Sequence, residues 1–201
     1  EFQVGIDAVT IVVNKEFPAD SITIDQLAHI WRPENPAQKW SDVDPSWPDI
    51  EIELYGPTSA SGTFDFFTEE VVGEGGASRS DYQGTEQDNT IVQAVSGSRG
   101  ASGYFGMAYY LENKDKVKAL KVNGVMPSIE TAKAGEYVLS RPLFIYVAKN
   151  ELARPEVREY VKFYLERTGG EIVKQVGYVP MTSADVEDYL AKFEEAVADV
   201  Q

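Results

Sequence analysis

Cysteine is absent from this 201-residue chain, histidine occurs once, and basic residues are few beside acidic ones. Without cysteine there is no disulfide framework, no thiolate zinc site and no cysteine nucleophile, although the redox compartment stays open. The one histidine, His29, is the only base that a Ser-His-Asp triad could use. It lies in Thr23-Ile-Asp-Gln-Leu-Ala-His-Ile-Trp31, where Thr23 and Gln26 have capping-box spacing. Ile24, Leu27, Ile30 and Trp31 form the buried stripe, and His29 falls off it as an ordinary helix histidine. Only 18 Lys and Arg stand against 33 Asp and Glu, a formal net charge of −15. That balance excludes nucleic acid as a natural partner, because phosphate backbones need Lys/Arg stripes, and it disfavours an anionic membrane surface. No apolar run reaches the roughly 18 residues of a membrane span. Glu1-Phe-Gln-Val has neither the basic start nor the apolar core of a signal peptide, which leaves the location open. Asp42-x-Asp44-x-Ser46 briefly has calcium-loop spacing, but Trp47 stands where glycine is needed and no closing glutamate follows. A solvated turn is expected there, and no metal or cofactor site.

What the chain does have is 43% hydrophobic and 11% aromatic residues, the content of a folded globular protein. Its most informative stretch is Ile50-Glu-Ile-Glu-Leu-Tyr55, a strand-like run that ends in Gly-Pro-Thr-Ser-Ala-Ser-Gly-Thr63. An amphipathic helix follows, with Phe64, Phe67 and Val71 at helical spacing and Gly73 as its stop. The first turn of a helix presents N–H groups without intrahelical partners and the positive end of the macrodipole. Ser59, Ser61 and Thr63 add hydroxyl donors, and Gly62 removes the side chain that would block close approach. The combination predicts a seat for a small oxyanion. The competing reading is a plain helix cap, whose hydroxyls serve the chain's own N–H groups. The global negative charge does not forbid the seat, since exposed charges are screened beyond about 8–10 Å and touching donors decide the matter.

Strands and helices alternate along the rest of the chain. Ala8–Val13 reads as a buried strand, Thr85-Glu-Gln-Asp88 as a cap on the helix Asn89–Val95, and Ala101–Phe105 as a strand with tight turns. Leu143–Val147 is a second β-branched and aromatic run. Pro155 opens a helix through Val157, Val161, Tyr164 and Leu165, stopped by Gly169-Gly170. Ile172–Val176 leads to the turn Gly177–Pro180, and Thr182-Ser-Ala-Asp185 begins a last helix. The alternation predicts α/β layers with a partly parallel sheet.

Taken together, these segments resemble the phosphate-binding proteins that feed ABC phosphate importers, within the two-lobed periplasmic solute-binding proteins. The resemblance covers nearly the whole chain. It is carried by Ile6-Asp-Ala-Val-Thr-Ile-Val-Val-Asn14, Leu27–Trp31, Ser59-Ala-Ser-Gly-Thr-Phe-Asp-Phe-Phe-Thr68 and Gly76-Ala-Ser-Arg-Ser-Asp-Tyr82. Gln87–Asn89 with Val92–Val95, Gly103–Gly106 with Ala108–Tyr110, and Ser140-Arg-Pro-Leu-Phe-Ile-Tyr-Val147 complete it. It implies a periplasmic-binding-protein-like α/β fold with one complete lobe and part of a second, joined by two crossing strands, Val9–Val13 and Leu143–Val147. The implied division is residues 1–13, partial first lobe and first crossing; 14–140, second lobe; and 141–201, second crossing and the C-terminal part of the first lobe. Family members carry a long opening segment before Ile6-Asp-Ala-Val9, which holds anion-binding residues, including an acidic one that accepts the proton of hydrogen phosphate. Nothing in these residues corresponds to it, so the missing segment would come from another chain, or the chain is a fragment or a reduced relative.

The resemblance implies inorganic phosphate as ligand, a membrane ABC permease as partner, and no enzymatic activity. It places Ser61, Gly62 and Thr63 on the anion, with Ser59 a weaker contact. Many relatives have an arginine four residues before the serine; Pro57 stands there, and Arg79 is the natural replacement, the alternative being a surface arginine paired with Asp81 or Glu74. The implied location is periplasmic or extracellular, free or membrane-anchored through an N-terminal part outside these residues. An enzyme reading with Ser61 as nucleophile lacks a base within reach, because His29 belongs to another element. A solute-binding fold acting as sensor or interaction module, without a transport role, is the alternative function.

Overall fold

A computed structural model describes residues 1–200. The chain divides into two compact units, residues 8–140 and residues 1–7 with 141 onward. The long strand β1 (Phe2–Val13) runs through the division, which falls inside it after Asp7.

The 8–140 unit holds β1 from Ala8 on, β2 (Ser21–Ile22), α1 (Ile24–Trp31), α2 (Trp40–Val43), β3 (Glu53–Gly56) and α3 (Gly62–Val72). After these come β4 (Gln83–Gly84), α4 (Asp88–Gly97), β5 (Ala101–Gly106), α5 (Met107–Asn113), β6 (Lys118–Ala119), β7 (Lys121–Val122) and α6 (Ile129–Lys133). Its main sheet has the order β4-β3-β5-β1-β6, with β3 parallel to both neighbours and β1 antiparallel to β5 and β6. The β-branched run of β1 is apolar on both faces because both are covered. Val9, Ile11 and Val13 enter a core with Leu27, Ile30 and Trp31 of α1 and Phe66, Phe67 and Val71 of α3. Val12 points the other way, into a core with Ile91, Val92 and Val95 of α4. Neighbouring Tyr104 and Phe105 of β5 divide between the same two cores, as the two-residue strand period demands. The layers are therefore helix, sheet, helix.

Local signals set the boundaries. Thr23 and Gln26 form the predicted capping box of α1. Gly73 ends α3 at φ +88°, in the left-handed region that glycine enters without strain. The strand expected over Ile50–Tyr55 is shorter, Glu53–Gly56, with Glu51 bridged singly to Lys39. The cap of α4 also differs. Gln87 is the N-cap without a side-chain bond, and the Thr85 hydroxyl accepts from the Gln87 N–H at 3.1 Å, one residue outside the helix.

In the other unit, β8 (Ser140–Ile145) pairs with β1, and Ile6 and Val179 exchange two backbone hydrogen bonds of 3.0 and 2.8 Å. A 3₁₀ turn (Lys149–Ala153) leads to α7 (Pro155–Arg167), α8 (Glu171–Gln175) and α9 (Ser183–Ala198). The segment Ile172–Val176 is thus mostly helix. Pro155 takes the first position of α7, and Thr182 with Asp185 forms the capping box of α9. Phe2 and Val4 pack with Val161, Leu165, Phe193 and Val197 in a separate core.

Candidate functional site

The expected oxyanion loop follows β3 directly. Gly56 ends the strand with its α-carbon against the Tyr104 ring; a Cβ there would lie 2.8 Å from Cε1 and 3.1 Å from Cζ. Only glycine lets the chain pass so close. Tyr104 is fully buried, stacked on Phe67 at 3.8 Å and edge-on to Trp31 at 5.1 Å, so the platform beneath the loop is rigid. Burial pushes its phenol well above the ordinary value, which keeps it neutral. Tyr82 donates its hydroxyl to the Pro57 carbonyl at 3.0 Å and pins the loop's first residue.

From Thr58 to Thr63 the chain turns into α3. The Ser61 N–H donates to the Thr58 carbonyl (3.0 Å), and the Ala60 N–H to the Thr58 hydroxyl (3.3 Å). Ser61 is the N-cap: its Oγ accepts from the Thr63 N–H at 3.2 Å, and its carbonyl accepts from Phe64 and Asp65. The expectation of an uncapped first turn needs correction, since Ser61 itself covers the Thr63 amide. The loop also offers a ligand hydroxyl protons. Accepting leaves the Ser61 O–H proton available. Among the described residues, the hydroxyls of exposed Ser59 and half-buried Thr63 have no hydrogen-bond partner. Gly62 opens the helix and is exposed. Ser59, Ser61, Gly62 and Thr63 therefore lie together at the positive end of α3, beyond the C-terminal end of β3, where ligands of open α/β sheets collect.

Arg79 does not join them. It is 5% exposed, and all five guanidinium N–H groups are engaged within the protein. Nη1 donates to the carbonyls of Ile30 (3.0 Å) and Ala37 (2.8 Å), Nη2 to Gln38 Oε1 (3.3 Å) and Asp81 Oδ2 (2.8 Å), and Nε to Asp81 Oδ1 (2.5 Å). Its own N–H donates to the Trp31 carbonyl at 3.0 Å. Arg79 thus closes the C-terminal carbonyls of α1, where a cation also meets the negative end of the helix. It precedes β4 by four residues. The parallel pairing Tyr55↔Gln83 and Gly56↔Gly84 puts it at the strand starts, opposite the loop. The guanidinium hydrogen bonds hold the Asp81 carboxyl below its ordinary value. Arg79 is a buried brace with no donor left for an anion.

Glu86 is the loop residue that sequence reasoning missed. One carboxylate oxygen accepts from both the N–H (3.1 Å) and the hydroxyl of Thr58. The Thr85 N–H binds the Gly56 carbonyl at 2.9 Å and so sets Glu86 beside the loop. No spacing in the sequence announces this, because it depends on β3 pairing with β4. Burial, and then the charge of Glu86, raises the carboxyl of nearby Asp88 above its ordinary value. The rim of the seat is accordingly acidic, with Asp65 in the first turn of α3.

The chain matches the family model described as the PBP superfamily domain over residues 1–168. It belongs to that family. The family is one of binding proteins rather than enzymes, and its α/β architecture is the one described above. The chain is 43% identical to the structure of a possible phosphate binding protein from Planctomyces limnophilus, with a TM-score of 0.87, covering 99% of this chain and 72% of that one. It is 42% identical over 189 residues to Protein SphX of Synechococcus elongatus, 90% of this chain and 56% of that protein. With the phosphate-binding protein PstS of Staphylococcus haemolyticus it shares 39% identity over 199 residues, 94% of this chain and 60% of that protein. The chain therefore spans a little over half the length of these curated relatives. Among the described residues, no helix is long and apolar enough to cross a membrane.

Proposed function

We propose that this chain carries the anion-binding loop of an extracytoplasmic phosphate receptor that delivers its ligand to a membrane ABC permease. The observation that carries the reading is the cluster of Ser59, Ser61 and Thr63 hydroxyls at the α3 N-terminus, set on a rigid aromatic floor. The names of the relatives, phosphate-binding proteins, supply the ligand. Ser61, Gly62 and Thr63 are the principal contacts and Ser59 a secondary one; Arg79 holds α1 and the start of β4 in place. Phosphate brings four acceptor oxygens to hydroxyl donors, and each hydrogen bond to its charge contributes roughly 1.5–3 kcal/mol. Two or three such bonds barely offset the cost of immobilising the ligand, and Glu86 and Asp65 repel it. Binding by these residues alone is expected in the millimolar range, about −4 kcal/mol.

The test is a phosphate titration of the 201-residue chain followed by amide resonances. Shifts should be centred on residues 59–64 and saturate at millimolar phosphate. Thr63→Ala should weaken the response several-fold while leaving thermal unfolding unchanged. Low-micromolar binding by calorimetry would contradict the magnitude, and shifts centred elsewhere would remove the site from this loop.

A further inference from the structure

Thr58 is the hub of the turn that leads into α3. Its carbonyl accepts from the Ser61 N–H at 3.0 Å, and its hydroxyl accepts from the Ala60 N–H at 3.3 Å. The same hydroxyl, together with the Thr58 N–H at 3.1 Å, donates to one carboxylate oxygen of Glu86. A hydroxyl has one proton and two lone pairs. Once Glu86 takes the proton, the Thr58 oxygen can face Ala60 only as an acceptor. The order of dependence is therefore Glu86, then Thr58, then Ala60 and Ser61, and with them the hydroxyls of Ser59, Ser61 and Thr63. Glu86 is fixed in its turn. The Thr85 N–H donates to the Gly56 carbonyl at 2.9 Å, and the Thr85 hydroxyl accepts from the Gln87 N–H at 3.1 Å.

A carboxylate accepts these two hydrogen bonds more strongly than a neutral group would, but it brings a charge of the ligand's own sign. Glu86 is exposed, and among the described residues it forms no ion pair. Its second carboxylate oxygen accepts no hydrogen bond from them either. The negative charge beside the loop is thus uncompensated. We infer that Glu86 is the positioning residue of the anion loop, one that sets the loop's shape through Thr58 while holding its affinity down by repulsion. This rests on the reading of the loop as the phosphate seat. The two effects have opposite signs, so a neutral isostere and a truncation separate them. Glutamine offers an amide oxygen to the same two donors without the charge, whereas alanine removes the acceptor altogether.

The experiment titrates phosphate into the 201-residue chain and its variants, following the amide resonances of residues 59–64 at low and high salt. Glu86→Gln should tighten the response about two- to threefold at low salt, the scale of an exposed charge interaction. The gain should disappear at about 1 M salt, where charges are screened within about 3 Å. Glu86→Ala should weaken the response about threefold or more, and so should Thr58→Val, which lacks the hydroxyl. Because both break one link, the double variant should bind no more weakly than the weaker single one. A purely structural role would make glutamine and alanine change affinity in the same direction. Should Glu86→Ala unfold, the salt-dependent gain in Glu86→Gln and the loss in Thr58→Val still decide. Tighter binding by Glu86→Ala would make Glu86 a competitor for the loop's donors and overturn the inference. A Glu86→Gln response no tighter at low salt, or additive losses in the double variant, would overturn it too. Without phosphate, the Ala60 and Ser61 amides should exchange hydrogen faster in Glu86→Ala and unchanged in Glu86→Gln. Equal exchange in all three proteins would refute the positioning role, whereas absence of any phosphate response in the unaltered chain would refute the proposed function.

Discussion

At Arg79 an arginine beside a glycine-rich segment can be read as an anion clamp, yet its side chain is committed to two buried carbonyls, one amide oxygen and one carboxylate. Lysine would keep the charge but has three donors and no planar fork. Each buried carbonyl left unpaired costs about 1–3 kcal/mol. Arg79→Lys should therefore lower stability in urea by about 2–4 kcal/mol while the phosphate-dependent shifts of residues 59–64 persist in the folded fraction. Loss of those shifts at unchanged stability would return Arg79 to the ligand set. Asp88 makes the opposite kind of contribution. Its carboxyl is raised above the ordinary 3.8 by burial first and by Glu86 second, so between 3.8 and the raised value the folded state binds more protons than the unfolded one. Stability contributed by this group thus falls as pH rises through that window. Asp88→Asn should raise the melting temperature at pH 7, with the gain shrinking as pH falls and gone below about 3.8. A gain that is constant with pH would assign the effect to something other than the charge.

Elements explain what could be read in the sequence and what could not. The caps of α1 and α9, the glycine stop of α3, Pro155 at the head of α7, the apolar run of β1 and the short strand β5 are local, and each is legible from a few neighbouring residues. The loop from Thr58 to Thr63 was legible for the same reason: strand, small residues and helix follow one another directly. What was hidden depends on pairing between distant segments. The contact of Glu86 with Thr58 exists because β4 lies parallel to β3, and the task of Arg79 follows from where α1 ends. The same non-local geometry makes Gly56 indispensable to its element. Tyr104 is held between Phe67 and Trp31 and cannot yield to a new methyl group, so overpacking should cost about 1–3 kcal/mol. Gly56→Ala is expected to lower the urea midpoint and, by lifting the end of β3, to reduce the phosphate response of the loop. A variant of unaltered stability would mean that the β3–β5 pairing has slack which the fixed ring does not suggest.

Across the whole molecule, the two units are built to different standards of burial. In the 8–140 unit the sheet is covered on both faces, and two apolar cores flank it. Among the described residues, the other unit has one apolar core, a pairing of β8 with β1, and apolar side chains of α7, α8 and β8 facing outward. Burying apolar surface stabilises by roughly 25 cal/mol per Å², and an open sheet edge leaves backbone groups to water. Local unfolding free energies follow these differences, so the less enclosed unit should open first. Native-state hydrogen exchange should find the amides of Val161 and Leu165 protected far less than those of Val12, Tyr104 and Phe105. Urea should release them in an earlier step, before the tryptophans of the 8–140 unit change their fluorescence. Trp31, Trp40 and Trp47 all belong to the core of that unit or pack against it, so their signal reports on it alone. Coincident transitions by exchange and by fluorescence would mean that β1, which runs through both units, couples them into one cooperative body despite the unequal burial.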